Sequence, residues 1–385
     1  MRRARALARV AVLYAACQSS SCAPSGFPDA SLISSVRVLA SSAEPPNPQP
    51  GTAVRVRVLA YDGRPSKPAP MVTYWLPLVC TDPENDAYYS CFKQFAGAGR
   101  GDGGAGPHAQ AASIAVASAC GATGLPNAAA LGALTPGVDL TPLLPQGDCA
   151  EFVMPADIVP DAGPAPTLCR SNPPQPVRYG LAILFNIACA GHLEVVALDP
   201  GNVQSPPVGC FDAQHNRLGP PDYVFGFTRV YAFDAAQAGR VPAIENANPM
   251  IDHVEVDGHT VNLDVGAGTN AGFDVDHCPA GDSCQNVHMG PVVLQSSQEL
   301  NPTVCDVHQN ALHEQIWAEF YSTIGSFTSD ARLLYDPSTT MAVGAPVDTD
   351  TEFEVPDHAV NGTIWIVVHD NRGGATWATV PVRVH

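Results

Sequence analysis

The densest ligand chemistry in the chain lies near its C-terminal third. Cys278, Cys284, Cys305 and His308 are spaced C-x5-C-x20-C-x2-H, with His277, His288 and His313 alongside. Thiolates and imidazoles at such intervals can hold zinc tetrahedrally. The same cysteines in an oxidising compartment pair with each other instead, and the loose spacing favours that use. Disulfides are therefore expected, with a metal-binding cluster at 277–313 as the alternative. Asp274, Asp276 and Asp282 could ligate calcium, but a calcium loop needs carboxylates at several fixed positions and a turn glycine. Pro279 and two cysteines stand there instead, so a solvated acidic loop is the expectation.

Nucleophilic catalysis has little to build on. Gly281-Asp282-Ser283 resembles the nucleophile block of one esterase family, yet Cys284 follows directly and the block lies far from the family's N-terminal position. A serine there also needs a distant Asp/His pair and oxyanion donors. An exported hydrolase is only a remote alternative. His313-Glu314 opens like a zinc-protease helix motif, but Trp317 occupies the place of the second histidine, so that motif is absent. No G-x-S-x-G, phosphate-binding glycine loop or dinucleotide fingerprint occurs. The sequence thus points to no catalytic residue, resident metal or cofactor. Trp75, Trp317 and Trp365 sit in strand patterns and are expected in the core, leaving Trp377 as the aromatic to test for a surface role.

The twelve cysteines are at 17, 22, 80, 91, 120, 149, 169, 189, 210, 278, 284 and 305. Local spacing suggests the pairs Cys80–Cys91, Cys120–Cys149, Cys189–Cys210 and Cys278–Cys284, with Cys169 and Cys305 unplaced. Spacing alone does not determine connectivity.

Export is written into the start. Arg2, Arg3, Arg5 and Arg9 precede the apolar run Val10 to Ala16, which is too short to span a bilayer. Leu13-Tyr14-Ala15-Ala16-Cys17 resembles a bacterial lipobox, with Tyr14 where the pattern prefers Leu. The resemblance implies cleavage after residue 16 and lipid attachment at Cys17; an ordinary cleaved signal is the alternative. Removing residues 1–16 leaves 15 basic against 37 acidic residues. Such a surface repels nucleic acid and anionic membrane, so membrane contact is expected only through a lipid anchor.

Gly and Pro, 33 and 37 residues, favour turns and short strands over long helices. Residues 17–31 are small and polar, a flexible tether. Period-two alternation begins at Ile33, and Val54, Val56 and Val58 opposite Arg55 and Arg57 make the cleanest strand. Residues 93–148 are rich in Ala and Gly and form an insertion. The apolar stretch 179–198 is broken by Asn186, His192 and Glu194, so buried strands with a turn near Gly191-His192 are expected there rather than a membrane span. Residues 236–250 read as a linker. A second unit then follows to the end, carrying its own insertion at 264–290. Asn361-Gly362 reads as a turn, and Asp370 to Gly374 as a hairpin loop before the alternating run Ala378, Val380, Val382, Val384.

Glu151-Phe152-Val153-Met154-Pro155 in the first unit corresponds to Glu352-Phe353-Glu354-Val355-Pro356 in the second. With Pro50-Gly51-Thr52-Ala53-Val54 and Trp365 to Gly374, that order resembles the repeated immunoglobulin-like domains of bacterial cell-envelope lipoproteins. The resemblance covers about half the chain. It implies an all-β fold of two immunoglobulin-like sandwiches, at 32–235 and 251–385, each with a disulfide-pinned insertion. It implies a setting in the outer membrane, or else the periplasm or exterior. It does not imply an activity, since such sandwiches host many unrelated functions; a non-enzymatic structural or binding role toward a protein or glycan at the cell surface is the favoured expectation.

Overall fold

The computed structural model describes residues 30–92, 120, 135–159, 166–171, 175–197, 206–233, 245–261, 263, 272–279, 284, 286–338 and 349–385. The leader, Cys17, Cys22, Asp282 and Ser283 lie outside these residues, as do 93–119, 121–134, 264–271 and most of 280–285.

The described residues form strands joined by turns and short 3-10 segments. The N-terminal part contains β1 (Val36–Glu44), β2 (Ala53–Asp62), β3 (Val72–Thr81), β4 (Cys149–Val153), β5 (Tyr179–Cys189), β6 (His192–Val195), β7 (Val208–Phe211) and β8 (Tyr223–Phe233). They make a β1-β2-β4 sheet, a β3-β5-β8 sheet and a β6-β7 hairpin, all antiparallel. Val54, Val56 and Val58 of β2, with Phe152 of β4, meet Trp75 and Val79 of β3, Ala182 and Leu184 of β5, and Val230 of β8 in one core. Arg55 and Arg57 point away from that core, as period-two alternation requires.

The central sheet is covered on its other face too. Leu181, Ile183, Phe185 and Ile187 of β5 pack against Phe92, Leu140, Leu144, Leu193 and Val208. This explains why the 179–198 run does not alternate. Ten consecutive residues from Gly180 are buried, because the strand lies between two apolar layers. The run breaks at Ala190-Gly191 and returns as β6.

The C-terminal part contains β9 (Ile251–Val256), β10 (His259–Val261), β11 (Phe273–Val275), β12 (Val287–Val293), β13 (Leu300–Cys305), β14 (Ala311–His313), β15 (Ile316–Ser322), β16 (Ser326–Phe327), β17 (Ala331–Tyr335), β18 (Thr351–Glu354), β19 (Val360–Asp370) and β20 (Ala375–Val384). A β10-β9-β12-β18-β16 sheet faces a β11-β20-β19-β15-β17 sheet, with β13-β14 as a separate hairpin. Their inner faces share one core, in which Val254, Met289 and Phe353 oppose Phe320, Ile366, Val380 and Val382. This is a β-sandwich. Phe353 on β18 thus occupies the kind of position that Phe152 holds on β4.

Several local expectations need correction. Asn361-Gly362 is not a turn, because β19 runs straight through it. A Cβ at Gly362 would lie 2.4 Å from Ile324 Cγ1, so the glycine serves close approach. The hairpin loop begins where expected, at Asp370. Gly373 takes a φ of +94°, and Asp370 Oδ1 accepts from the Gly374 N–H at 2.8 Å. The 264–290 insertion contains β11, parallel to β20, and ends inside β12. Residues 236–244 of the expected linker lie outside the described residues, but 245–250 are held firmly. Asn246 is buried and donates to Asp370 at 3.2 Å, while Asn248 donates to the Ala43 carbonyl at 2.8 Å and to Glu44 at 2.9 Å. No helix among the described residues is long and apolar enough to cross a membrane.

The two parts touch. Ile33 and Leu39 pack with Trp365, backed by Tyr61 and Tyr321, and the Tyr61 and Trp365 rings lie 4.6 Å apart. A bulge between Val38 and Ala40 turns Leu39 toward this contact. Trp365 therefore serves the junction rather than a sandwich core. Trp317 stacks on His369 at 5.3 Å on the outer face of β15, so of the three tryptophans expected in a core only Trp75 is there. Trp377 lies under the Arg57 guanidinium, 5.5 Å from its ring centre.

Candidate functional site

The sulfurs of the 277–313 region are committed to disulfides. Cys278 bonds Cys284, and Cys305 bonds Cys169 across a sequence separation of 136. Further disulfides join Cys80 to Cys91, Cys120 to Cys149 and Cys189 to Cys210. The nearby imidazoles are dispersed on other partners. His277 and His313 bond the carbonyls of His385 and Gln298, each at 2.6 Å, and His288 lies 3.9 Å from Glu352. Asp274 holds Arg383 at 2.6 Å and His385 at 3.3 Å, which leaves it poorly placed for calcium. The thiolates required by the 277–313 metal alternative are absent.

A different trio comes together on the N-terminal unit. Among the described residues, the one group of three or more metal-ligating side chains with converging donor atoms is His192, Glu194 and His215. Strand β6 sets the first two. Alternate residues of a strand share a face, so His192 and Glu194 stand side by side while Leu193 and Val195 enter the core. Strand β7 pairs with β6, and the Cys189–Cys210 disulfide ties the hairpin to β5. The chain then makes a tight turn. Asp212 Oδ1 accepts from the backbone N–H groups of Gln214 at 2.8 Å and Asn216 at 2.9 Å, and Oδ2 accepts from Asn216 Nδ2 at 3.0 Å. Within that turn His215 adopts a φ of +61°, a conformation uncommon outside glycine, and its ring folds back over β6.

Both imidazoles meet one carboxylate oxygen. His192 Nε2 lies 2.6 Å, and His215 Nδ1 2.5 Å, from Glu194 Oε1, with the rings edge to face at 5.3 Å. Glu194 is only 5% exposed, whereas the His215 side chain is 72% exposed. The bond from His215, then that from His192, holds the Glu194 carboxyl below the usual glutamate range. The site is a buried anion with one open side.

A second buried acid lies where β15 begins. Glu314 Oε1 accepts from Arg372 at 2.7 Å, and Oε2 is buried with no hydrogen-bond partner among the described residues. Burial, then the Asp370 carboxylate, pushes Glu314 from an ordinary 4.5 up to about 8, against the pull of Arg372. Below pH 4.5 the group is protonated whether the chain is folded or not. Between 4.5 and about 8 the fold must retain a proton that the unfolded chain releases, so its contribution to stability falls as pH rises. Urea unfolding across this window should show the wild type losing stability relative to Glu314→Gln. Parallel pH curves for the two proteins would sink this assignment.

Sequence reasoning passed over the histidine trio. His192 and Glu194 stand out in the sequence only as polar breaks in an apolar run, and His215 lies in a turn 21 residues from Glu194. The readable signal was His-x-Glu on a strand, which puts both side chains on one face. No protein-family model matches the chain, and no curated protein matches it.

Proposed function

We propose that the chain is a binding or spacing module of the bacterial cell envelope, exported, lipid-anchored at Cys17 in the outer membrane and built from two immunoglobulin-like domains. One observation carries the reading: the Cys169–Cys305 disulfide ties the N-terminal and C-terminal units together, beside the Ile33–Leu39–Trp365 cluster. Units tied in this way transmit position better than they support domain closure around a substrate. Five disulfides among the described residues suit an oxidising, exported location.

The strand order supports the domain type. Numbering the principal strands of each unit by their place in the chain, β1-β2-β4 faces β3-β5-β8, and β9-β12-β18 faces β15-β19-β20. Both place the first, second and fourth strands in one sheet and the third, fifth and sixth in the other. Immunoglobulin sandwiches divide strands A, B, E and C, F, G in the same way. The partner would be a protein or glycan at the cell surface, since the acidic surface disfavours nucleic acid. Two experiments test the reading. Labelled palmitate should enter the wild type and not Cys17→Ala; equal labelling would remove the anchor. Cross-linking on intact cells should capture a specific envelope component, and a chain released to the medium with nothing captured would remove the role.

A further inference from the structure

We propose that His192, Glu194 and His215 form a binding site for one divalent transition-metal ion of the zinc and copper(II) class. This goes beyond the envelope role and does not depend on it.

The donor set selects the ion. Two imidazole nitrogens and one carboxylate oxygen suit borderline divalent ions, while calcium and magnesium prefer all-oxygen shells and copper(I) prefers sulfur. The nearest sulfurs, those of Cys189 and Cys210, are joined in a disulfide. Geometry permits the binding. The three donor atoms lie within 4.8 Å of one another, and each imidazole nitrogen is at hydrogen-bond distance from Glu194 Oε1. Bonds of about 2.0–2.2 Å to an ion put donor atoms roughly 3.3 Å apart, so the pairs now at hydrogen-bond distance must spread by less than about 1 Å. His215, the most exposed of the three, sits on a turn that can supply this movement.

Charge points the same way. Glu194 is a nearly buried carboxylate whose hydrogen-bond partners among the described residues are the two imidazoles. Neutral imidazoles leave that anion without a compensating charge; a divalent ion bound at the same nitrogens supplies one, each ring then carrying its proton on its other nitrogen. The disulfide, the β6-β7 ladder and the Asp212 turn hold the donors together before binding, which lowers the ordering cost. The exposed side of His215 leaves the remaining coordination position facing solvent, where a water or a partner's donor group can complete the shell.

The test uses the full chain with its disulfides intact, stripped with a chelator. Titration with zinc chloride in a calorimeter near neutral pH should show one equivalent bound. His215→Ala and Glu194→Gln should each weaken binding by about 100-fold or more, whereas a His277→Ala/His313→Ala double variant should bind as the wild type does. Copper(II) in place of zinc should give an electron paramagnetic resonance spectrum split by two imidazole nitrogens, reduced to one in His215→Ala. Zinc should raise the melting temperature of the wild type above its own metal-free value and leave that of His215→Ala at its own metal-free value. Failure of zinc to bind the wild type, or equal binding by wild type and His215→Ala, would overturn the proposal.

Discussion

Replacing Cys169 and Cys305 by serine together should destabilise the oxidised chain by about 4 kcal/mol and split its unfolding into two transitions. The bridge spans 136 residues of sequence, the longest loop closed by any disulfide among the described residues. Closing so long a loop removes a large amount of conformational freedom from the unfolded chain, by roughly 5 kcal/mol on the chain-entropy model. The nested Cys189–Cys210 and Cys278–Cys284 bridges shorten the effective loop and lower the figure. Besides the disulfide, the units meet through a small apolar cluster around Trp365, the Arg57–Trp377 contact, the Asn248 hydrogen bonds, the backbone bonds of Ser31 and Ile33 with Ser322, the Phe327 N–H to Ser31 Oγ and the Cys169 N–H to the Pro302 carbonyl. Those are too few to keep two separate cores unfolding as one. Denaturant titration followed by tryptophan fluorescence measures the effect, and a single transition at the wild-type midpoint would contradict it.

Trp75→Ala should cost about 4 kcal/mol, close to the largest penalty a single core truncation produces. Trp75 is fully buried between the two sheets of the N-terminal unit, among Val54, Val56, Phe152 and Leu184. Its indole N–H also donates to the Gly147 carbonyl at 3.0 Å, and its backbone N–H to Pro145 at 2.9 Å. Removing the ring therefore leaves a cavity and also takes away the donor to the Gly147 carbonyl. Trp75→Phe keeps most of the volume and should cost about half as much. Trp377→Ala provides the contrast: half-buried beneath Arg57, it should shift stability by about 1 kcal/mol or less. Comparable losses at positions 75 and 377 would mean that Trp75 is not the keystone of that core.

These contrasts mark what sequence pattern could reach. Alternation at Val54, Val56 and Val58, and again from Ala378 to Val384, is a local property of a half-buried strand, and the burial follows it closely. The hairpin at Gly373 was legible because a positive φ restricts residue type within a few positions. The bulge that turns Leu39 outward left no local mark, nor did the third layer over β5. Asn361-Gly362 misled because glycine marks both turns and close approach, and only the neighbouring Ile324 distinguishes them.

By itself, the sequence determined the strand-rich character, because alternation depends on neighbours a few residues apart; it suggested four short-range cysteine pairings without deciding them. Tertiary structure alone decided the rest. It joined Cys169 to Cys305, placed Trp365 at a junction rather than in a core, and brought His215 onto the face shared by His192 and Glu194. Each is a long-range contact whose partner is chosen by how whole sheets pack, and side-chain pattern along one strand carries no record of that choice.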